Sequence, residues 1–375
     1  MTSPLTVLLA PDKFKGCLTA TDVCVELRRG LMGGPGQIEV VVRPVADGGD
    51  GTLDAALAAG FESRSVAAAG ALGEPRSARF GVQGATALIE LAEVCGLAQL
   101  PEDGLRPMEA TSYGVGLAMK AAIGLGYREL VVGLGGSAST DGGIGAATAL
   151  GARIVDDTGE PVRPGGDGLG ELASVDFTPM QDLLAGVRVV LATDVRSPLL
   201  GEHGAAAVFA PQKGASGEQV RLLEAGLQRW ACAVQAATGL DVRNVPGAGA
   251  AGGFAVPFLA TGCGSVVAGA QLMLDVTGAR AAIEMADLVI TGEGRWDSQT
   301  SSGKAPHAVV EAARRVGTPV MAVAGSFSAD ADLTGTAAGY SLAEIAGPDG
   351  DPLRDARTLL REIGARIARD LGRAT

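Results

Sequence analysis

The sequence predicts an α/β protein built from two domains, one of them discontinuous. Three observations carry this. Most of its Gly-rich polar loops follow short apolar, β-branched runs, several of those loops lead into helical patterns, and both chain ends share this style while the middle departs from it. In an open α/β sheet such loops cluster at the carboxyl ends of the strands, where ligands bind.

The elements follow in order. Residues 7–10 read as a buried strand leading to Asp12-Lys-Phe-Lys-Gly16. Thr19 or Thr21 caps a helix to about Leu31, with Val23, Leu27 and Leu31 on one face. A strand over 39–44, the loop Asp47-Gly-Gly-Asp-Gly-Thr52 and a helix through Ala59 complete a β-α-β-α unit. From Glu62 to Glu93, runs at 63–69, 78–81 and 87–91 are broken by Gly and Pro and predict an antiparallel or mixed meander. A helix over 113–124, a strand over 129–133, the loop Gly135-Gly-Ser-Ala-Ser-Thr-Asp-Gly-Gly143 and a helix over 144–151 come next. Residues 188–193 form a strand ending at Asp194, and Ser216 caps a helix to Thr238, with Glu218 and Gln219 close behind.

The earlier style then returns. A strand over 288–290 enters the loop running from Gly292 to Lys304. A helix over 306–316, strands over 320–324 and 340–345, and a terminal helix over 352–372 close the chain. That helix aligns Leu353, Ala356, Leu359, Leu360, Ile363 and Ile367. The expected architecture is a Rossmann-like parallel-sheet domain from 1–65 plus 265–375, with a mixed α/β domain, 66–264, inserted in it. Arg163-Pro-Gly-Gly-Asp-Gly168 reads as the most flexible loop.

Composition narrows the function. Gly accounts for 57 of 375 residues without a G-X-Y period, which excludes collagen. The net charge of −12 opposes nucleic-acid binding and requires a local basic pocket for any anionic substrate. Five cysteines with no C-x-x-C pair, and only His203 and His307 as histidines, favour a reduced cytoplasm over disulfides or zinc. No signal peptide is evident at the N-terminus. The uncharged stretch 244–274 is long enough to span a bilayer, but its glycines, Pro246 and Pro257 read as buried helix plus loop.

Standard motifs fail. Ser298 stands at the first Gly position of a Walker A loop, and Ala305 follows Lys304. Gly247-Ala-Gly-Ala-Ala-Gly252 matches the letters of G-x-G-x-x-G without a preceding strand. No nucleophile elbow surrounds Ser137. The loops themselves carry the chemistry. Gly136, Ser137, Ser139, Thr140 and Asp141 precede a helix and offer N–H and hydroxyl groups to phosphate, the competing reading being a simple helix cap. Asp47 and Asp50 flank two glycines, and Asp194 ends an apolar strand. Lys213 and Lys304 stand beside glycine or its loop as candidate phosphate ligands. Glu293 and Asp297 are candidate oxygen ligands for Mg²⁺.

In order along the chain, these strings resemble the type I glycerate kinases, a bacterial family. The likeness runs from Ala10-Pro-Asp-Lys-Phe-Lys-Gly16 through Pro44-Val-Ala-Asp-Gly-Gly-Asp-Gly-Thr52 and the 135–143 loop. It continues in Thr193-Asp-Val-Arg-Ser-Pro-Leu-Leu-Gly201, Phe209-Ala-Pro-Gln-Lys-Gly214, Gly247-Ala-Gly-Ala-Ala-Gly-Gly253 and the loop ending at Lys304. The family often has Glu at Asp50, Asn at Ser197 and Ser at Lys13.

The resemblance implies two α/β domains with the active site in the cleft between them, and ATP with Mg²⁺ phosphorylating D-glycerate, the 2-position favoured over the 3-position. On that basis Asp194 is the first choice for the group orienting the hydroxyl and taking its proton, with Asp47 next and Lys213 neutralising charge. Asp12, Lys13, Lys15 and Asp50 are expected to bind substrate. Gly136, Ser137, Ser139, Thr140, Asp141 and Lys304 are expected to hold nucleotide phosphate, and Glu293 and Asp297 the metal. The expected setting is cytoplasmic, as a monomer or homodimer, with no nucleic-acid or membrane partner. A kinase of a related hydroxy acid and a non-catalytic nucleotide or metabolite sensor are the competing functions.

Overall fold

The computed structural model describes residues 4–34, 37–298, 300 and 304–374. The chain divides into two compact units. The first comprises 1–47, 54–60 and 270–375, and the second comprises 48–53 and 61–269.

The first unit is a five-stranded parallel sheet of β1 (Leu5–Leu9), β2 (Ile38–Val42), β11 (Leu288–Trp296), β12 (Val320–Phe327) and β13 (Ala338–Ser341). Its spatial order is β13-β12-β11-β1-β2. The second unit holds a six-stranded sheet in the order β10-β9-β6-β5-β4-β3. Its strands are β3 (Glu62–Ala69), β4 (Pro75–Gln83), β5 (Thr86–Glu90), β6 (Glu129–Gly133), β9 (Arg188–Ala192) and β10 (Gly264–Val267). Strands β5, β6, β9 and β10 run parallel, while β3-β4-β5 form an antiparallel meander where the sequence reads an antiparallel or mixed one. A small antiparallel pair, β7 (Arg153–Val155) and β8 (Ser174–Asp176), stands apart.

Because β3 and β10 pair within the second sheet, residues 61–65 and 265–269 belong to the inserted unit rather than to the terminal one. The fold class is therefore mixed α/β, as the sequence predicted, with these shifts at the boundaries.

Connections in the first unit explain where its ligand site falls. From β1 the chain crosses to β2 through helix Ala20–Met32, which buries Val23, Leu27 and Leu31 on one sheet face. From β11 it crosses to β12 through helix Ala305–Val316, which buries Ala308, Val309 and Ala313 on the other. The strand order thus reverses between β1 and β11, and the loops leaving them part to opposite faces. Such a switch point opens a crevice at the strand carboxyl ends.

Thr19 caps the first of these helices by accepting from the Asp22 N–H at 3.1 Å. Ser216 and Gln219 form a reciprocal capping box at the start of helix Gly217–Thr238. No helix among the described residues is long and apolar enough to cross a membrane.

Three expectations need correction. Residues 340–345 are not one strand, because Ser341 ends β13 and its hydroxyl caps helix Leu342–Ala346. Leu353 does not join the terminal helix stripe. Its N–H bonds to Asp351 Oδ1 ahead of helix Ala356–Ala374, leaving the side chain 68% exposed. The 163–168 segment is packed, not loose: Gly165, Gly166 and Gly168 are buried, and a Cβ on Gly166 would come within 2.7 Å of the Thr140 carbonyl oxygen.

Helix Ala20–Met32 is tied to the terminal helix by a buried carboxylate. Glu26 is 1% exposed and accepts from Arg361 at 2.7 Å and from Arg29 at 2.7 Å. Burial would raise its pKa, but the Arg361 hydrogen bonds and the arginine charges hold it below the ordinary value. Charge-assisted bonds of this kind contribute about 1.5–3 kcal/mol each. Glu26→Gln is expected to lower stability by roughly 1–3 kcal/mol at neutral pH. The loss should shrink as pH falls through the folded-state pKa, because the wild-type carboxylate is then protonated too. Chemical denaturation of both proteins at pH 7 and pH 3 measures it, and equal stability at neutral pH would count against the network.

Candidate functional site

At the β1/β11 switch point the first unit assembles an acid–base cluster. Pro11 and Asp12 follow β1, and the Asp12 N–H donates to the Gly292 carbonyl at 2.8 Å, fastening the first loop to β11. The Asp12 side chain is 8% exposed. It accepts from the Lys13 N–H at 2.6 Å, and the Lys13 ammonium lies 3.8 Å away. Burial drives its pKa up to about 7 against the pull of Lys13, and the negative charges of Asp47 and Glu293 push the same way as burial. Lys13 and Asp47 are half-buried and Lys15 is exposed.

Glu293 was expected in a loop. It is a strand residue, because β11 keeps pairing with β12 as far as Trp296 opposite Phe327. Its side chain is 11% exposed, and burial raises its pKa. Thr300 Oγ1 donates to Glu293 Oε1 at 2.6 Å and accepts from the Asp297 N–H at 3.0 Å. Lys304 Nζ lies 3.3 Å from Glu293 Oε2 and 3.7 Å from Asp297 Oδ1. Two carboxylates thus gather around one cation. Gln299 and residues 301–303 of this motif lie outside the described residues.

In the second unit, loops from the carboxyl ends of β5, β6 and β9 converge with residues 48–53. The Gly135 N–H donates to the Gly48 carbonyl at 3.2 Å, and the Leu134 N–H to the Ala192 carbonyl at 3.0 Å. A Cβ on Gly135 would stand 2.3 Å from the Gly49 Cα, so only glycine permits the approach. Asp194 leaves β9 beside this junction and is half-buried. Asp50 is exposed.

Glu90 was missed by sequence reasoning. It is 4% exposed and accepts from Gly51 N–H at 3.2 Å and Leu53 N–H at 2.8 Å, fixing the loop that carries Asp50. The signal was available, since Glu90 ends an apolar strand just as Asp194 follows one.

The 135–143 loop is fastened from several directions. Asp141 is fully buried, and its carboxylate accepts from Ser112 N–H at 2.8 Å, Ser112 Oγ at 2.9 Å, Thr111 Oγ1 at 3.3 Å, Gly143 N–H at 3.1 Å and Gly145 N–H at 3.3 Å. Trp230 Nε1 donates to the Gly142 carbonyl at 2.9 Å. The Gly142 N–H donates to the Gly252 carbonyl at 2.9 Å, and the Gly249 N–H to the Ser197 carbonyl at 3.0 Å. The G-x-G-x-x-G letters therefore mark a brace for two loops. Ser139 and Thr140 are fully buried as well, whereas Gly136 is exposed and Ser137 is 6% exposed. The accessible edge of this loop is its Gly135–Ser137 end.

Lys213 is 3% exposed and its Nζ donates to the Ser139 carbonyl. Burial pulls its pKa down to about 7 against the favourable charge of Asp141. Its amine faces the loop backbone.

Among the described residues, no group of three or more His, Cys, Asp or Glu side chains is arranged to hold a metal ion. The pair Glu293 and Asp297 suits Mg²⁺ all the same. That ion takes one or two carboxylates and completes its shell with water and substrate phosphates, and Lys304 already marks the place as one that attracts a cation.

An open parallel sheet with desolvated acids and lysines at its switch point defines an α/β enzyme suited to anionic ligands. The chain matches the glycerate kinase family over residues 7–372. It is 38% identical over 372 residues to the glycerate kinase of Bacillus subtilis (strain 168), covering 97% of this chain and 96% of that one. It is 37% identical over 328 residues to the glycerate 2-kinase of Escherichia coli (strain K12), covering 86% of each. A crystal structure from Salmonella typhimurium LT2, provisionally assigned as glycerate kinase 2, superposes with a TM-score of 0.86 at 34% identity over 99% of both chains. The chain belongs to the glycerate kinase family, and it is a kinase.

The buried amine sets a pH test. Unfolded, Lys213 keeps its proton to about pH 10.5, whereas folded it loses it near 7, so between these values the unfolded state binds more protons. The stability that Lys213 contributes must therefore rise with pH across that window. The Tm of wild type minus that of Lys213→Met is expected to increase from pH 7 to pH 10. The change corresponds to roughly a few kcal/mol. A pH-independent difference would show that the amine is not desolvated.

Proposed function

We propose that this chain transfers the γ-phosphoryl group of ATP to the 2-hydroxyl of D-glycerate, with Mg²⁺, in a bacterial cytoplasm. The observation that carries the reading is the Asp12–Glu293–Lys304 cluster at the β1/β11 switch point, in a chain related along almost its whole length to proteins named glycerate kinase and glycerate 2-kinase. Phosphoryl transfer asks chiefly for positioning and for neutralisation of charge. Desolvated acids beside lysines supply both.

In this reading Lys13 and Lys15 meet the glycerate carboxylate, and Asp12 and Asp50 order the loops around the acid. Asp194 hydrogen-bonds the attacking hydroxyl and takes its proton as the new O–P bond forms and the bond to ADP breaks. Asp47 is the second choice for that role. The Gly136 and Ser137 end of the loop offers N–H and hydroxyl donors to phosphate, and Ser139, Thr140 and Asp141 keep that end in place. Lys213 acts through the Ser139 carbonyl rather than on substrate, and Lys304 counters charge on the transferred group. Glu293 and Asp297 are the residues that would hold Mg²⁺, which when bound neutralises the phosphate oxygens. Five free thiols accord with a reducing compartment.

Incubation with ATP, D-glycerate and Mg²⁺, followed by phosphorus NMR, is expected to give ADP and 2-phosphoglycerate in equal amounts. Turnover of other hydroxy acids but not glycerate would overturn the substrate, and ligand-induced thermal stabilisation without ADP release would overturn catalysis. EDTA should abolish turnover and excess Mg²⁺ restore it. Asp194→Asn should lower kcat by about 10²–10⁴ with unchanged circular dichroism; a variant with near-normal turnover would remove Asp194 from the proton-accepting role.

A further inference from the structure

The first unit contains a cavity of about 330 Å³ on the sheet face that carries helix Ala20–Met32. Phe14, Leu342 and Pro352 are among its apolar lining, and Lys15 and Arg295 supply two cations. We infer that this cavity receives the base and ribose of the nucleotide, with the phosphate chain leaving past Arg295 toward Glu293 and Lys304. The inference rests on the kinase reading above.

Three observations argue for it. First, the cavity and the acid–base cluster are made by the same two segments. Phe14 and Lys15 follow Asp12 and Lys13 after β1, and Gly294 and Arg295 follow Glu293 on β11. A ligand seated in the cavity therefore has its charged end delivered to the switch point, where ligands of open α/β sheets bind.

Second, the lining has the wrong chemistry for glycerate. That acid is polar at every carbon and has no apolar face to set against a lining that includes Phe14, Leu342, Pro352 and Leu353. A nucleobase presents flat apolar faces and a polar edge, and the cavity supplies Ser326 for such an edge. Its volume falls at the lower end of the roughly 300–1,000 Å³ typical of small-molecule sites.

Third, the rim is built in place. Leu353 is 68% exposed although large and apolar, and the Cys17 Sγ donates to its carbonyl at 3.3 Å, tying the segment before the terminal helix to the loop after β1. A stacked base would give the Leu353 side chain the cover it lacks. Arg295 meets Asp297 only at 3.8 Å, with its own side chain 73% exposed, so it can turn to a phosphate at little cost.

The test uses Ala343, a half-buried residue of the lining, and Leu353 at the rim. Ala343→Phe fills the cavity. It is expected to raise the KM for ATP about tenfold or more while the KM for glycerate and kcat at saturating ATP stay within about twofold. Leu353→Glu, at an exposed position where folding is not at stake, is expected to raise the KM for ATP alone. With the native protein, adenosine should compete with ATP and not with glycerate, whereas tripolyphosphate should bind wild type and Ala343→Phe equally. An unchanged KM for ATP in both variants, or adenosine that does not compete, overturns the assignment. Should wild type fail to phosphorylate glycerate, the kinase reading falls first. Titration calorimetry with ADP then decides the cavity separately: heat lost in Ala343→Phe upholds it, and equal affinity in wild type and both variants overturns it.

Discussion

Direct backbone contact at the carboxyl ends of β6 and β9 is the constraint on which the second unit's candidate site depends. The strand ends and the 48–53 segment meet with no side chain between them. The Gly48 carbonyl accepts from Gly135 at 3.2 Å, and a Cβ on Gly48 would stand 2.8 Å from the Ala192 carbonyl oxygen. The unusual glycine content of the chain is thus spent on proximity rather than on slack. Because the main chains touch, the short side chains Asp50, Ser137 and Asp194 leave from neighbouring points without long, entropically costly reach. Glu90 completes the arrangement by satisfying two N–H groups that a glycine loop leaves without partners.

Packing so close has an electrostatic consequence. Carboxylates and amines held against backbone lose water, and their protonation is then decided by whichever partners remain. Asp12 and Glu293 are pushed up by burial, and Lys213 is pushed down. Asp141 shows the opposite solution, a buried carboxylate given donors on both oxygens. Groups fixed in this way need no reorganisation when charge develops nearby, which is the main source of catalytic power in reactions that shift charge without covalent help.

Much of this was legible in the sequence because local signals and tertiary structure agree. The helix Tyr113–Gly124 and the strand Glu129–Gly133 fall where periodicity places them, and Thr19 and Ser216 cap as their types predict. What could not be read is what depends on a distant partner. The extension of β11 through Glu293 comes from pairing with β12, and the packing of the 163–168 segment comes from Thr140 and its neighbours. Glu90 and Trp230 act across 37 and 88 residues of sequence, a relation no local pattern encodes. Leu353 shows the converse error, where a periodic apolar position was credited to a helix that an Asp351 turn delays.

The same environments bear on how the carboxylates divide their labour. Asp141 spends its lone pairs on five donors, so accepting a further proton would break the contacts that hold its loop. Glu293 is bound to Thr300 and Lys304, an arrangement that favours holding a cation over moving a proton. Asp12 is pushed up by burial, and one of its oxygens is already engaged by the Lys13 N–H beside the Lys13 ammonium, so little of its surface is open to a substrate hydroxyl. Asp194 is less buried than Asp12 or Asp141. It stands half-buried at the end of a central strand, beside the accessible end of the 135–143 loop, and the flanking Thr193 hydroxyl is turned to the Val195 N–H. A general base must be reachable by its substrate, and the half-burial of Asp194 at a strand end is what favours it for that role in the proposed reaction.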